Sequence, residues 1–470
     1  MKRYLNFFTL KLPIYLVYMY QQVEYNPHKF VRWVWRIPDI RKVMHRQSVV
    51  WTPKARLLVA IIGFFWVFYI VSTIIYLIFM PISGILTALL SPFLVTLISY
   101  LVVLAAWLYI EEPRRSALIK RATKLFEQHP GTKIAISGSY GKTTMKELLN
   151  TVLSEGRTVA ATPGNKNVPV SHAAWIKRLT GSEDILLIEY GEGAPGDIRK
   201  LARLTQPKYG IITGLASNHL DEYKTLNAVA KDLLSLKDYV DDHRLFINTE
   251  APAFAAYDLA GTTSYSADGV LGWATSGVKV EYSGTSFVMK KAKKTINVKS
   301  GLLGAHQVGP LALSAALADR LGLSIAQIEA GLAKTTPFEH RMQARRQHGA
   351  WIIDDTYNGS LEGIRAGLAL LAALPAKRKI YVTPGLVDQG EETERVHLEV
   401  GELIGGANPD RVVLMQNSTT QWIIKGLEAS EYQGDLHIEA DPLTYYTNLE
   451  HVLAAGDLIV LQNDWTDNYA

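Results

Sequence analysis

An α/β fold preceded by a two-span helical membrane hairpin is what this sequence predicts, with a phosphate-binding-loop domain in the middle and a Rossmann-like domain at the end. Three observations carry that expectation. Residues 57–110 run for 54 positions without Asp, Glu, Lys or Arg. The segment GSYGKTT at 138–144 lies between an apolar strand and a helix. After residue 345, short apolar runs alternate with helical stretches, the rhythm of a parallel sheet.

The uncharged run comes first. A helix needs roughly 20 apolar residues to cross a bilayer, so the run holds two spans, 57–80 and 84–110, with a turn at 81–83. It starts too deep in the chain for a cleaved signal peptide. Lys54 and Arg56 precede the first span, and Arg114, Arg115, Lys120, Arg121 and Lys124 follow the second. The turn is uncharged, so the positive-inside rule puts both ends of the hairpin in the cytoplasm. The expected location is therefore the cell membrane, multi-pass, with the rest of the chain on the cytoplasmic side. Trp51 and Trp107 fall where interfacial belts are expected. Residues 7–20 are apolar but contain Lys11 and Pro13, and read as an interfacial helix or loop.

The remainder is globular in composition. At 470 residues with 20% charged side chains, it has room for two or three domains. The net charge of +5 is mild, and no dense Lys/Arg block sits among stacking aromatics, which argues against nucleic acid. There is no cysteine, so disulfides, thiolate metal sites and a cysteine nucleophile are excluded. The expected domains are 1–125, a membrane-anchoring region; 126–340, a central nucleotide-binding domain; and 341–470, a Rossmann-like domain.

Within the central domain, 133–137 is a strand running into GSYGKTT, and 145–153 is the helix behind it. Residues 184–190 and 209–213 are further buried strands, 225–239 is helical by its apolar spacing, and 262–300 alternate as short antiparallel strands do. Residues 311–321 form an Ala/Leu-rich packing helix. In the last domain the expected strands are 351–354, 379–383, 411–415, 437–439 and 457–462.

GSYGKTT carries the chemistry. Glycines let backbone N–H groups wrap phosphate oxygens, and the following helix N-terminus adds positive potential. Gly138, Ser139, Tyr140, Gly141, Lys142, Thr143 and Thr144 are therefore the expected nucleotide cradle. Lys142 would reach the terminal phosphates and the Thr143 hydroxyl would bind Mg²⁺. A full P-loop has an earlier glycine where Ile136 stands. Glu189 ends an apolar strand, where a carboxylate is costly unless it meets a cation.

Eight further segments follow in order: TPGNKNVPV (162–170), IEYGEGAPGDI (188–198), ITGLASNHLDEYKTLNAVAK (212–231), INTEAP (247–252), LLGAHQVGPLALSAALADRLG (302–322), PFEHRM (337–342), DDTYNGSLEGIRAGLALL (354–371) and PGLVDQGEETERVHLEVGELI (384–404). Together with the shortened P-loop they resemble the Mur ligases, the family that adds amino acids to peptidoglycan precursors and includes folylpolyglutamate synthetase. The resemblance runs from about residue 131 to the C-terminus, and its last two elements point to the branch that adds D-alanyl-D-alanine.

The resemblance implies an ATP- and Mg²⁺-dependent carbon–nitrogen ligase acting through an acyl phosphate. Its partners would be a peptidoglycan-precursor-like acceptor and an amino acid or dipeptide. Glu189 and Thr143 would hold one Mg²⁺, and His219 would bind a second. Arg341 would stabilise the γ-phosphate. Gln307, Asp355 and Asn358 would hold the nucleotide or order its neighbours, alongside Tyr357. Asn165 and Asn167 would contact substrate or phosphate, or else stabilise their own loop as Asx turns. Asp388 and His397 would face the incoming amine, or form a surface pair.

Three departures stand out. A membrane hairpin occupies the place of the branch's N-terminal UDP-sugar-binding domain, which makes a lipid-linked acceptor an expectation. The family's carbamoylated lysine lies fourteen residues after its metal-binding histidine; here that position is Leu233, with Lys231 at the twelfth, so either the preceding loop is shorter and Lys231 serves as the catalytic, carbamoylated lysine, or the carbamate is missing. The family's H-N-x-x-N reads His306-Gln307-Val308-Gly309-Pro310, so Gln307 imitates the first amide and Pro310 cannot replace the second. The competing readings are amide ligation on a soluble carboxylate, as in folylpolyglutamate synthetase, and a non-enzymatic, ATP-regulated membrane scaffold.

Overall fold

The computed structural model describes residues 6–463 except 38, 44–47, 165, 217–219, 358 and 388. The chain divides after residue 118 into two compact units.

The first unit is built on two long helices, Pro53–Phe79 and Pro81–Ala106. Both are long and apolar enough to cross a membrane. Thr52 starts the first by accepting the Ala55 N–H at its hydroxyl, 3.2 Å away. The expected turn at 81–83 is corrected. Only Met80 breaks the helices, because Pro81 opens the second one, where a missing N–H costs nothing. The helices approach closely at Gly84, where a Cβ would lie 2.5 Å from the Leu77 nitrogen. The second helix passes through a π-turn, Trp107–Glu111, into the helix Glu112–Gln128. Lys54 and Glu111 pair across the base of the hairpin at 2.7 Å.

The apolar N-terminal segment forms the helix Leu12–Gln22. It packs on the hairpin: Leu12, Leu16 and Val17 share a core with Ile62, Trp66 and Val95. The Tyr20 hydroxyl lies 3.1 Å from Ser99 Oγ. The rest of the hairpin shows bare apolar side chains, with Phe64 67%, Phe79 76% and Ile82 78% exposed.

The second unit contains three sheets. The first is a six-stranded parallel sheet in the order β2-β3-β1-β4-β5-β6. Its strands are β1 (Thr132–Ser137), β2 (Val159–Ala161), β3 (Ile185–Glu189), β4 (Tyr209–Ile212), β5 (Leu245–Asn248) and β6 (Thr263–Tyr265). β3, β4 and β5 are buried along their whole length and β1 from Ile134 onward, as strands covered on both faces must be. β1 lies between β3 and β4, so its C-terminal end opens at the middle of the sheet.

β7 (Gly269–Val270), β8 (Trp273–Glu281), β9 (Gly284–Lys291) and β10 (Lys294–Ser300) form a separate antiparallel sheet. The expectation that all of 262–300 is antiparallel is thus corrected at β6, which adds parallel to β5. The helix Val308–Arg320 packs its apolar residues into the core with the helix Lys142–Leu153.

The third sheet has the order β11-β12-β16-β13-β14-β15 and is parallel except at β11. Its strands are β11 (Gln343–Gln347), β12 (Ala350–Asp355), β13 (Arg378–Thr383), β14 (Arg411–Met415), β15 (Asp435–Glu439) and β16 (Asp457–Gln462). β11 escapes a pattern search because QARRQ has no apolar alternation. β16 inserts between β12 and β13 and sets Gln462 opposite Asp355. Tyr282, at the tip of the β8–β9 hairpin, stacks on Trp351 of β12 with ring centroids 4.4 Å apart and donates to the Pro375 carbonyl at 2.7 Å.

Candidate active site

The loop after β1 is shaped by glycine. Gly138 has φ of 136°, and a Cβ there would lie 2.3 Å from Thr213 Oγ1 and 2.9 Å from the Gly214 nitrogen. Gly141 has φ of 75° and opens the helix Lys142–Leu153. The end of β4 holds the loop: Ser139 N–H donates to the Gly214 carbonyl at 2.9 Å, and Thr213 N–H to the Ser137 carbonyl at 2.9 Å. The Tyr140 ring lies so close over Gly214 that any side chain there would overlap it. Burial raises the Tyr140 phenol far above its ordinary range, so the ring serves as a neutral cover. Thr144 follows in the first helical turn.

The cradle carries one partly buried and one fully buried cation. Lys142 Nζ sits 2.8 and 3.0 Å from the two carboxylate oxygens of Glu192, and also donates to the Gly138 carbonyl. Lys146, one turn further along the same helix, has no exposed side-chain surface. Its ammonium donates to the carbonyls of Thr162 at 2.9 Å and Gly164 at 2.7 Å, and lies 3.3 Å from Glu189 Oε2. Lys146 and Glu192 were not predicted. A lysine at i+4 from Lys142 on one helix face and a glutamate three residues beyond Glu189 were the available signals.

Glu189 gathers the cradle and the 162–168 loop. Its Oε1 accepts from Thr143 Oγ1 at 3.2 Å and from Asn167 Nδ2 at 3.4 Å, and its own N–H donates to Thr162 Oγ1 at 3.1 Å. Asn167 also accepts the Gly191 N–H at its carbonyl, 2.9 Å away. Thr143 and Glu189 are hard oxygen donors side by side at the mouth of a phosphate loop. Mg²⁺ is bound by one or two protein oxygens plus phosphates and waters, so this pair fits it. Among the described residues no cluster of three His, Asp or Glu side chains is present. His219 and Asn165 lie outside the described residues.

The helix Leu226–Leu234 carries Lys231. Lys231 is exposed, whereas Asp232 and Leu233 are the buried residues of that turn. Asp232 accepts the Gly196 N–H at 2.9 Å and lies 2.8 Å from the Tyr223 hydroxyl. Lys231, exposed, takes no part in these contacts. The buried carboxylate serves to anchor the 193–196 loop that follows Glu192.

A second set of predicted residues gathers at the ends of β12 and β16. Asp355 accepts from Gln462 Nε2 at 2.8 Å and from the Met342 N–H at 3.1 Å. Burial pushes its carboxyl up to about 7, against the opposing pull of Arg341. The Arg341 guanidinium lies 4.3 Å over the half-exposed Tyr357 ring. Glu362, on the helix Leu361–Ala373, is close enough for its charge to act on Tyr140 of the P-loop, which brings the two sets toward each other. Gln307 Nε2 lies 2.8 Å from His306 Nε2; burial lowers the His306 ring to about 4 and keeps it neutral.

The reading of His397 as facing an incoming amine is corrected. Its side chain is buried, Nε2 accepts the Leu386 N–H at 3.0 Å, and Nδ1 lies 2.6 Å from the Thr393 carbonyl. Nε2 thus holds the loop at Leu386, and Nδ1 is taken up by the first residue of its own helix, Thr393–Ala407. Asp388 and Asn358 lie outside the described residues.

With this geometry in place, comparison with known proteins is direct. The Mur ligase middle domain matches residues 136–318, and the Mur ligase glutamate ligase domain matches residues 340–462. The chain belongs to the Mur ligase family. The UDP-N-acetylmuramoyl-tripeptide–D-alanyl-D-alanine ligase of Mycobacterium tuberculosis is 30% identical over 315 residues, which cover 64% of this chain and 62% of that one. The enzyme of the same name from Escherichia coli is 27% identical over 327 residues, covering 65% and 69%. This Mur ligase chain thus spans just under two thirds of the mycobacterial relative. Among solved structures, MurF from Acinetobacter baumannii superposes with a TM-score of 0.65 at 20% identity, covering 74% of this chain and 77% of that one. MurF ligase from Thermotoga maritima in complex with ADP gives 0.64 at 23% identity, covering 74% and 80%. At such identities the likeness is one of fold.

Proposed function

We propose that this Mur ligase joins D-alanyl-D-alanine to the peptide of a cell-wall precursor, using ATP and Mg²⁺. The observation that carries the reading is the contact of Thr143 with Glu189 beside the Lys142 ammonium, at the mouth of a glycine-shaped loop. A carboxylate of the acceptor would attack the γ-phosphorus and release ADP. The dipeptide's amine would then attack the acyl phosphate, release phosphate and lose a proton. Lys142 would draw the terminal phosphates into line, Thr143 and Glu189 would hold the cation that offsets their charge, and Arg341 would supply a further positive group. The names of the mycobacterial and Escherichia coli relatives support the choice of dipeptide and acceptor.

The same proposal places the chain at the membrane, with the ligase domains on the cytoplasmic side and the acceptor lipid-linked. The bare apolar surface of the hairpin and its basic flanks support this. Incubating the purified chain with ATP, D-alanyl-D-alanine and either lipid-linked or UDP-linked muramyl tripeptide, followed by mass spectrometry, tests both parts. A dipeptide mass increment on the lipid-linked acceptor is expected. An increment only on the UDP-linked acceptor would sink the lipid reading, and none on either would sink the ligase reading. Topology has its own test, made clean by the absence of native cysteine. Cysteines placed singly at Ser83 and Ser116 should label from opposite sides, Ser116 only after permeabilisation.

A further inference from the structure

We infer that Glu192 is a partner-switching carboxylate: it grips the Lys142 ammonium while the nucleotide site is empty and serves the phosphate-bound Mg²⁺ once Lys142 has moved to the phosphates. The inference rests on the reading of residues 138–144 as an ATP site. Both oxygens of Glu192 lie within 3.0 Å of Lys142 Nζ, the atom on which that reading depends. The Glu192 side chain is only 2% exposed, so it has no route to bulk water as a free anion. Its segment is also held from behind. Ala194 N–H donates to Asp197 at 2.9 Å, and Gly196 N–H donates to the buried Asp232 at 2.9 Å.

The consequence is electrostatic. A nucleotide brings several negative charges to Lys142, and one ammonium cannot neutralise them and a buried carboxylate together. A buried carboxylate stripped of its counter-charge is strongly unfavourable. Metal-free nucleotide is therefore opposed twice, by competition for Lys142 and by repulsion from Glu192. A divalent cation removes both penalties, because Thr143 and Glu189, which suit it, adjoin the same lysine. Glu192 thus makes Mg²⁺ a condition of binding.

The test compares the full chain with Glu192→Gln, which keeps the shape and removes the charge. ADP affinity is measured by calorimetry in EDTA and again with saturating Mg²⁺. The variant should bind metal-free ADP about 10-fold tighter than the parent, and its gain in affinity on adding Mg²⁺ should shrink by a similar factor. Mn²⁺ bound with ADP, followed by electron paramagnetic resonance, should be released more readily from the variant. Glu192→Asp, which retains the charge, should keep the parent's Mg²⁺ dependence and covers the case in which Glu192→Gln misfolds. Equal metal-free affinity in parent and Glu192→Gln would overturn the grip on Lys142. An undiminished Mg²⁺ gain, or Glu192→Asp behaving as Glu192→Gln does, would overturn the cation role. Failure of the parent to bind ADP under either condition would instead remove the ATP-site reading beneath it.

Discussion

The P-loop region and the Asp355 region handle buried charge in opposite ways. Around the P-loop, cations and carboxylates are interleaved: Lys142 meets Glu192, and Lys146 meets Glu189. At the ends of β12 and β16 the buried acid meets an amide and a backbone N–H, and burial holds it near the point of losing its charge. The first arrangement suits a site in which incoming phosphates and a divalent cation take over the partners of charges already in place. The second suits a region whose charge changes with its surroundings, near an arginine that rests on an aromatic ring. Perturbing one member on each side should therefore give responses of different size and different pH dependence.

The largest response is expected from Lys142→Ala. It removes a charge-assisted phosphate contact, and nucleotide affinity and ATP turnover should fall on the order of 100-fold or more. Circular dichroism should stay that of the parent, because Lys142 lies at the start of its helix, while stability to denaturant falls because Glu192 loses its counter-charge. Normal phosphate release by the variant would remove the basis for treating the P-loop region as the ATP side.

Lys146→Met should act on stability before it acts on chemistry. It strips the counter-charge from Glu189 and leaves the Thr162 and Gly164 carbonyls without a donor. Breaking a buried pair in this way costs about 3 kcal/mol, to be read from chemical denaturation. A loss under about 1 kcal/mol would mean that the ammonium contributes far less than its burial implies.

Asp355→Asn should respond the other way, and its sign follows from the direction of the shift. The folded carboxyl titrates at about 7 against an ordinary 3.8, so folding favours its protonated form. Its contribution is complete below the ordinary value and is lost as pH rises toward 7. The asparagine variant should therefore match the parent near about pH 4 and gain on it steadily toward about pH 8, by roughly 1 kcal/mol or more. Denaturation across that range would expose a parent that gains on the variant instead, which would mean that Arg341 outweighs burial at this acid.

Much of this contrast is visible in the sequence on the P-loop side and little of it on the other. GSYGKTT, the strand-end Glu189 and the buried parallel strands follow from local rules of glycine geometry, phosphate binding and apolar runs. Lys146 and Glu192 escaped because a lysine inside a helix and a glutamate in a glycine-rich loop ordinarily face water. Only the tertiary approach of the Thr162 and Gly164 carbonyls and of Glu189 encloses Lys146, and only that of Lys142 gives the buried Glu192 its partner. His397 misled for the converse reason. A histidine near a loop of acidic residues resembles a substrate contact, but helix and loop close over it and occupy both nitrogens. β11 and the parallel pairing of β6 depend on neighbours remote in sequence, which no local pattern encodes. At the hairpin, proline's preference for a helix start moved the break to Met80, a rule that acts within two residues.

The smallest response is expected from Lys231→Ala, and it sharpens the comparison from outside both regions. A residue bridging metal ions would belong to the interleaved charges of the P-loop side. Lys231 is exposed, while Asp232 and Leu233 form the buried side of the same turn. A shift of two residues turns a helix by about 200°, so Lys231 and Leu233 cannot face one site together. Asp232 is already committed to Gly196 and Tyr223, which leaves that turn holding a loop in place. Lys231→Ala should therefore keep ligase turnover within about twofold of the parent, as an exposed substitution does, and bicarbonate depletion should leave the parent's rate unchanged. A variant that loses activity more than about tenfold and recovers part of it with added acetate would show that a carbamate forms on Lys231 after all. The helix would then have to rotate inward during turnover, bringing a lysine into the charged network and moving Asp232 out of it.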